Sequence, residues 1–449
     1  MNRITLVMLA GTVALSAAGQ RPEPPLGTVI YPPIPNTPNA PFTFAGNDRY
    51  VIVGNPANQD GLHEATPVFD RLTGSELYEL NPSGPVAPAS YATAVALWED
   101  LAFIAGRSDD PASFDGFVDV FDLTTGDLID TLTGPPVEGN DRFGFKLAVA
   151  GDRLAVAAIL TGYPGVDSGR IYVYSLPDLT LLYEITDTNT ADATFPLEMA
   201  MSEDFIVAIS GLPEDIGYLD ATFLVFDAAT GATLAEANPV VEGETITRFL
   251  GDVAVSDRYA LAANINNDRA GLGAGEVYVF DLHQLAFVNA LTPPTTRDTF
   301  QFMGVGMATR GSVGVISSPQ FFFFDSKPGL IDFVSLPTGT ILRTIEGYQR
   351  PEYDRFPELA SFGQEVEVAA AGVLVSSYYP DDWEGRVDWI PLAELCPADT
   401  NRDGLLGLAD LGAWIIAYTA DDEACDQNGD GLCNPADFSA WVINFNAGC

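Results

Sequence analysis

Val120-Phe121-Asp122, followed by Thr125-Gly126, is an apolar run that ends in an aromatic residue and an acid and then enters a tight turn. The phrase recurs at Val68-Phe69-Asp70 with Thr73-Gly74 and at Val225-Phe226-Asp227 with Thr230-Gly231. Weaker copies are Val173-Tyr174-Ser175, Val279-Phe280-Asp281, Phe333-Val334-Ser335 with Thr338-Gly339, and Trp389-Ile390-Pro391. Taking Phe69, Phe121, Tyr174, Phe226, Phe280, Val334 and Ile390 as equivalents, the spacings are 52, 53, 52, 54, 54 and 56 residues. A period of that length marks a repeat architecture.

Two further phrases travel with the first. One is a turn acid followed by an apolar run, as in Asp48-Arg49-Tyr50-Val51-Ile52-Val53, Asp152-Arg153-Leu154-Ala155-Val156-Ala157 and Asp204-Phe205-Ile206-Val207-Ala208, which has the length and composition of a buried strand. The other is Phe143-Gly144-Phe145-Lys146-Leu147-Ala148-Val149, echoed at Phe249-Leu250-Gly251 and Phe362-Gly363. Each repeat therefore supplies about four short strands, with Thr-Gly at a hairpin where glycine takes a positive φ without steric cost. Four strands per repeat, seven times over, predicts an all-β chain folded as a seven-bladed β-propeller over residues 42–395. A β-sandwich with a second all-β domain is the alternative. The seventh copy ends after three strands, and a strand around Thr28–Tyr31 is expected to complete it.

The ends of the chain read differently. Residues 1–19 carry one Arg, an apolar run from Ile4 to Ala14 and then small residues, which is a secretory signal pattern too short for a membrane span. No later segment is long enough either, so an extracellular or cell-surface protein without a membrane span is expected. Residues 20–41 form a Pro-rich N-terminal segment, read as an extended tether.

Composition narrows the function. Sixty-two acids against 20 bases give a formal charge of −42, and Lys146 and Lys327 are the only lysines. That opposes binding to nucleic acid or anionic membrane, and implies affinity for cations or a salty medium. His63 and His283 are the only histidines, which leaves little material for His-based metal catalysis or a Ser/His/Asp triad. All four cysteines, Cys396, Cys425, Cys433 and Cys449, lie in the last 54 residues. An even count in a small exported module reads as two disulfides. Three connectivities exist, of which Cys396–Cys449 with Cys425–Cys433 is preferred.

That module, residues 396–449, carries the sharpest chemistry. Asp399-Thr400-Asn401-Arg402-Asp403-Gly404 is followed at its twelfth position by Asp410, and Asp426-Gln427-Asn428-Gly429-Asp430-Gly431 by Asp437. Hard Ca²⁺ takes six to eight oxygens, and such loops provide them from positions one, three, five and twelve and from the carbonyl at seven. The candidate ligands are Asp399, Asn401, Asp403, Leu405 and Asp410 for one ion, and Asp426, Asn428, Asp430, Leu432 and Asp437 for the other. Short amphipathic helices are expected over Leu408–Tyr418 and Pro435–Phe445, with Trp414 and Trp441 as core between them. Asn434 and Pro435 suit the N-cap and N1 positions.

Two resemblances follow from these motifs. Phe143-Gly144 with Leu147-Ala148-Val149-Ala150-Gly151-Asp152 resembles FG-GAP repeats of integrin-type propellers. Phe121-Asp122 with Thr125-Gly126 also looks like a quinoprotein-type repeat that lacks its usual Trp. The C-terminal module resembles a type I dockerin, which implies two calcium ions and docking onto a cohesin-like or other cell-surface or scaffold protein. The Ser-Thr pair that largely sets partner choice in cellulosomal dockerins is Leu408-Ala409 and Pro435-Ala436 here.

The expected function is a secreted, non-catalytic propeller that binds a protein or glycan, or serves as a structural platform, anchored through the calcium-loaded module. No catalytic residue is assigned. The alternative is a polysaccharide-degrading enzyme with a propeller catalytic domain and a dockerin, since 62 acids offer many candidate carboxylate pairs and single out none. Asp109, Asp110, Asp381, Asp382 and Glu384 read as solvated loop acids. Asn264-Ile265-Asn266-Asn267-Asp268 is the nearest approach to an integrin-type calcium loop, broken by Arg269-Ala270, and Phe321–Phe324 reads as an apolar patch at a blade edge.

Overall fold

The computed structural model describes residues 29–30, 43–54, 65–84, 86–108, 116–134, 140–161, 169–187, 194–211, 221–294, 302–319, 329–347, 349–350, 358–359, 361–369, 372–379, 384–391, 398, 400, 407–420, 425, 427 and 433–447. They form seven four-stranded antiparallel sheets, two two-stranded antiparallel pairs (Val240–Val241 with Glu244–Thr245, and Gln349–Arg350 with Glu358–Leu359) and two helices near the C-terminus. Blades 1 to 6 each take four strands in sequence order, beginning at Thr43–Gly46, Val86–Trp98, Asn140–Ala150, Thr194–Met201, Val253–Val255 and Met307–Arg310. Blade 7 takes Ser361–Ala369, Gly372–Tyr379 and Glu384–Pro391 from the end of the propeller and Val29–Ile30 from its beginning. Val29 pairs with Asp388 and Ile30 with Val387.

The first strand of each blade touches the first strands of both neighbours, including blade 7 against blade 1, so these seven strands ring a central axis. The second and third strands are almost wholly buried, as in Tyr50–Gly54 and Gly116–Asp122, because both of their faces meet another blade. The fourth is largely exposed, as in Asp127–Thr133. Seven apolar clusters fill the seven junctions, from blades 1 and 2, where Ile52 and Val68 meet Ile104 and Phe121, to blades 7 and 1, where Leu374 and Trp389 meet Val51 and Phe69. Removing this apolar surface from water is the main force that holds the ring together.

The repeated phrases have distinct structural roles. In the outer turns, Asp70, Asp122 and Asp227 each accept a threonine N–H and hydroxyl at one carboxylate oxygen, from Thr73, Thr124 and Thr230. Gly74, Gly126 and Gly231 complete these turns at φ of 66°, 77° and 73°. The Phe-Gly phrase makes a bulge on the innermost strand. The register of Asn140–Ala150 against Arg153–Thr161 jumps between Phe143 and Lys146, with Gly144 at φ 87°, and the same jump occurs between Phe362 and Val366, with Gly363 at φ 89°. Both glycines press on the preceding blade: a Cβ on Gly144 would lie 2.9 Å from that of Ala105, and one on Gly363 would lie 2.7 Å from Ile331. Only glycine combines that φ with that approach.

Polar ties also recur from blade to blade. Asn47, Trp98 and Ser256 donate to the turn carbonyls of Glu99, Gly151 and Gly311 in the following blade, at 2.7, 2.7 and 2.8 Å. The hydroxyls of Tyr78 and Tyr183 do the same nearer the rim, to Leu123 and Ala228.

Candidate functional site

The inner strands set the chemistry of the axis. The third residue after the inner-strand aromatic is Lys146 in blade 3 (after Phe143), Glu198 in blade 4 (after Phe195), Asp252 in blade 5 (after Phe249) and Glu365 in blade 7 (after Phe362). The ladders equate these positions. Lys146 pairs with Ala157 and Glu198 with Ile209, Asp252 accepts at its carbonyl from Ala263, and the Glu365 N–H donates to Ser376. One lysine and three carboxylates from four blades therefore share one level of the lumen, although they span more than 200 residues of sequence.

The Lys146 ammonium pairs with Glu198 at 2.6 Å, and the two side chains keep 36% and 27% exposure, which they owe to the lumen. Burial alone would lower the lysine's pKa, but the carboxylates of Glu198, Glu365 and Asp252 outweigh it and hold it up. Asp252 is raised well above the carboxylate range by burial and by Glu198 and Glu365, although the Met307 N–H donates to it at 2.8 Å. Glu365 keeps its side chain exposed at the lumen, and enclosure by the ring with the charge of Glu198 pushes it up to about 7 against the opposing pull of Lys146. Lys146 is thus a built-in counter-ion, and among the described residues no three acids, histidines or cysteines converge closely enough to hold a metal. A carboxyl that titrates near neutrality beside an ion pair is equipped for proton exchange or for binding a cationic group.

The loop with Asn264, Asn267 and Asp268 closes on itself. Glu276, 1% exposed, receives Arg269 Nη1 at 2.6 and 2.8 Å, Asn267 at 3.1 Å and the Tyr278 hydroxyl at 2.8 Å, while Asp268 accepts the Gly273 N–H at 2.6 Å. Arg269, which breaks the motif, supplies the positive charge itself.

In the C-terminal module, helices α1 (Leu408–Ala420) and α2 (Pro435–Ala447) begin where the sequence places them. Asp410 and Asp437 are fully buried in their first turns. Each accepts the N–H three residues back, from Gly407 at 2.8 Å and Asn434 at 2.7 Å, and Asp437 also accepts from Gln427 at 3.1 Å. Asn434 caps α2 by accepting the Ala436 N–H at 2.8 Å. The tryptophans cross over: Trp414 on α1 donates to Cys425 just before the second loop, and Trp441 on α2 donates to Ala398 just before the first, both at 3.1 Å. Ala398, Trp414, Ala417, Cys425 and Trp441 form one buried core. Cys425 and Cys433 are disulfide-bonded, with Cα atoms 5.6 Å apart.

Of the ten expected calcium ligands, Asp410 and Asp437 are described; Asp399, Asn401, Asp403, Leu405, Asp426, Asn428, Asp430 and Leu432 lie outside the described residues, as do Cys396 and Cys449. The two that are visible fit a hard cation in being buried carboxylates oriented by backbone N–H groups. Asp109, Asp110, Asp381, Asp382, His63 and Phe321–Phe324 also lie outside the described residues, and Glu384 opens a strand whose first side chains do.

No helix among the described residues is long and apolar enough to cross a membrane. The FG-GAP repeat model matches residues 129–174, from the outer strand of blade 2 to the third strand of blade 3. No curated protein matches the chain significantly. Among solved structures it is similar to the "Kuenenia stuttgartiensis Hydrazine Synthase", with a TM-score of 0.53, 12% identity and 79% of this chain aligned to 96% of that one. It is also similar to a chain of the "Complex of KlAtg21 with coiled-coil of AgAtg16", with a TM-score of 0.50, 11% identity and 79% aligned to 95%. At such identities the likeness is one of fold alone, and what the chain shares with these proteins is the β-propeller.

Proposed function

We propose that the chain is a secreted, non-catalytic propeller, a binding or structural platform for a protein or glycan, anchored through a calcium-dependent docking module of the type I dockerin kind. The observation that carries this reading is the crossed tryptophan pair with its two buried aspartates. Each half of the module donates to the backbone just before the Asp-x-Asn-x-Asp-Gly sequence of the other, and each of those sequences is followed at its twelfth position by a carboxylate. When bound, Ca²⁺ would draw the loop oxygens together. Asp410 and Asp437 would hold it from the helix starts, where their orientation is already fixed by backbone N–H groups. The module also bares Leu408, Ile415 and Ile416 on α1 and Phe438 and Val442 on α2, at 86, 50, 69, 45 and 36% exposure. Apolar side chains in that density suit contact with a cohesin-like or other cell-surface or scaffold partner. The N-terminal signal pattern and the Cys425–Cys433 disulfide support an oxidising, extracellular location.

Calorimetric titration of Ca²⁺ into the chelator-stripped full chain tests it. Two ions per chain are expected, with Asp410→Ala and Asp437→Ala each removing one; no binding to the unmodified chain overturns the reading.

The alternative, a polysaccharide-degrading enzyme, gains support from the Lys146–Glu198–Asp252–Glu365 cluster, because glycoside hydrolysis uses an acid of raised pKa opposite an ionised one. Release of reducing sugar from a panel of polysaccharides, abolished by Glu365→Gln, would favour the enzyme over the platform.

A further inference from the structure

Two residues beyond the charged level of the lumen, the inner strands carry Ala45, Ala96, Ala148, Ala200, Ala254 and Ala308 in blades 1 to 6. Blade 7 has Glu367 at that position. In the first six blades the alanine packs against the inner strand of the next blade, as Ala254 does beside Met307 and Ala148 beside Met199. Glu367 shares its face with Ala369 and pairs across the ladder with Leu374, both of which pack on blade 1. It therefore stands in the seam where the end of the propeller meets its beginning. Among the described residues, that seam holds fewer buried apolar side chains than any other junction.

We propose that Glu367 is a pH-sensitive clasp: the ring closes on the neutral carboxylic acid, and ionisation of that acid loosens the junction between blades 7 and 1.

The surroundings of Glu367 give its charge nothing to pair with. From blade 1 it receives one backbone N–H, that of Gly46, and the strand Thr43–Gly46 carries no charged side chain. The adjoining strand Gly372–Tyr379 carries none either. On its own strand the nearest charge is Glu365, which repels it. The elements packed on the other face of that strand contribute Arg310 and Asp332 from blade 6, where Asp332 is fully buried and accepts the Thr344 hydroxyl at 2.6 Å. Glu367 is half-buried as a residue, but its Oε2 is shut away from water with no hydrogen-bond partner. An unpaired buried hydroxyl costs less than an unpaired buried charge, so the site favours the acid form. Burial, with Glu365 adding to it, raises Glu367 to about 8 against the pull of the Gly46 N–H.

The sign follows. An unfolded glutamate loses its proton near pH 4.3, whereas the folded one keeps it to about 8. Between those values the folded state holds a proton that the unfolded chain has released, so stability falls as pH rises through the window and levels off above it.

Thermal unfolding of the full chain and of Glu367→Gln and Glu367→Ala between pH 5 and pH 9 tests the clasp. Glutamine keeps the shape without the charge, and alanine restores the pattern of the other six blades. Glu365 titrates in the same window and is coupled to Glu367 by their repulsion, so the comparison is repeated with Glu365→Gln in every protein, where the pH dependence left in the difference belongs to Glu367. The gap in Tm between Glu367→Gln and the unmodified protein should widen by several degrees from pH 5 to pH 8 and then stay constant; a gap that does not change with pH overturns the proposal. Hydrogen exchange on the unmodified protein gives a second readout that needs no variant. After correction for the intrinsic rate, protection over 43–46 and 361–369 should fall across the same range while 153–161 in blade 3 stays protected; an equal change in all three segments overturns it as well.

Discussion

The Lys146 ammonium lies 2.6 Å from a carboxylate oxygen of Glu198, so the sole lysine among the described residues ties blade 3 to blade 4 across the lumen. It also moderates Asp252 and Glu365, which reach the same level from blades 5 and 7.

Replacing Lys146 by Met should expose that dependence. The lysine's own pKa is raised, so its contribution is intact throughout the neutral and acid range. What varies with pH is the repulsion left behind among Glu198, Asp252 and Glu365. Breaking a fully buried pair costs about 3–5 kcal/mol; with a third of Lys146 open to the lumen, about 1–2 kcal/mol is expected at pH 8. The loss should shrink at pH 5, where Asp252 and Glu365 hold their protons. Urea unfolding at the two pH values checks it, and an equal loss at both would mean that Lys146 acts by packing.

Arg269→Met strands a deeper charge. Glu276 is 1% exposed and takes two contacts from one guanidinium nitrogen. A loss of about 3 kcal/mol is expected at neutral pH, and adding Glu276→Gln should recover most of it, because a neutral amide can keep the Tyr278 and Asn267 contacts. Additive losses in the double variant would contradict the pairing.

Gly144 and Gly243 have nearly the same φ, 87° and 89°, in opposite surroundings. A Cβ on Gly144 meets Ala105 at 2.9 Å and Val118 at 3.1 Å, whereas one on Gly243 meets nothing within 4 Å. Gly243→Ala should therefore cost only the conformational term, about 1 kcal/mol. Gly144→Ala should cost about 2–4 kcal/mol, since it adds crowding between two blades. Denaturant midpoints of the two variants separate strain from packing.

Much of the ring was legible in the sequence because each blade repeats the same local physics. Asp-x-x-Thr-Gly makes the same turn wherever it stands, and a turn acid before five apolar residues makes the same buried strand. The axial cluster was not legible. Lys146, Glu198, Asp252 and Glu365 look like isolated charges, and the phrase that should align them is degenerate: the residue after the aromatic is Gly144 in blade 3, Pro196 in blade 4 and Leu250 in blade 5. What they share is one ladder position on the inner strand, a property of register that the linear sequence does not display. The helices of the C-terminal module announced themselves through Asn434, Pro435 and the tryptophan spacing. The crossing of Trp414 and Trp441 to each other's loops did not, since a repeat of 27 residues is equally compatible with two halves that each fold alone.

The pairing of Val29–Ile30 with Glu384–Pro391 has a mechanical consequence. A protein held to a surface by its C-terminal module takes any pull at Pro391, the last residue of the propeller's final strand. Were that strand the margin of its sheet, it could peel away by breaking one ladder, residue by residue. Flanked by Gly372–Tyr379 on one side and Val29–Ile30 on the other, it must break two ladders where they overlap, at Val387 and Asp388. In a chain anchored as proposed, Val29–Ile30 would thus reinforce the strand that takes the load.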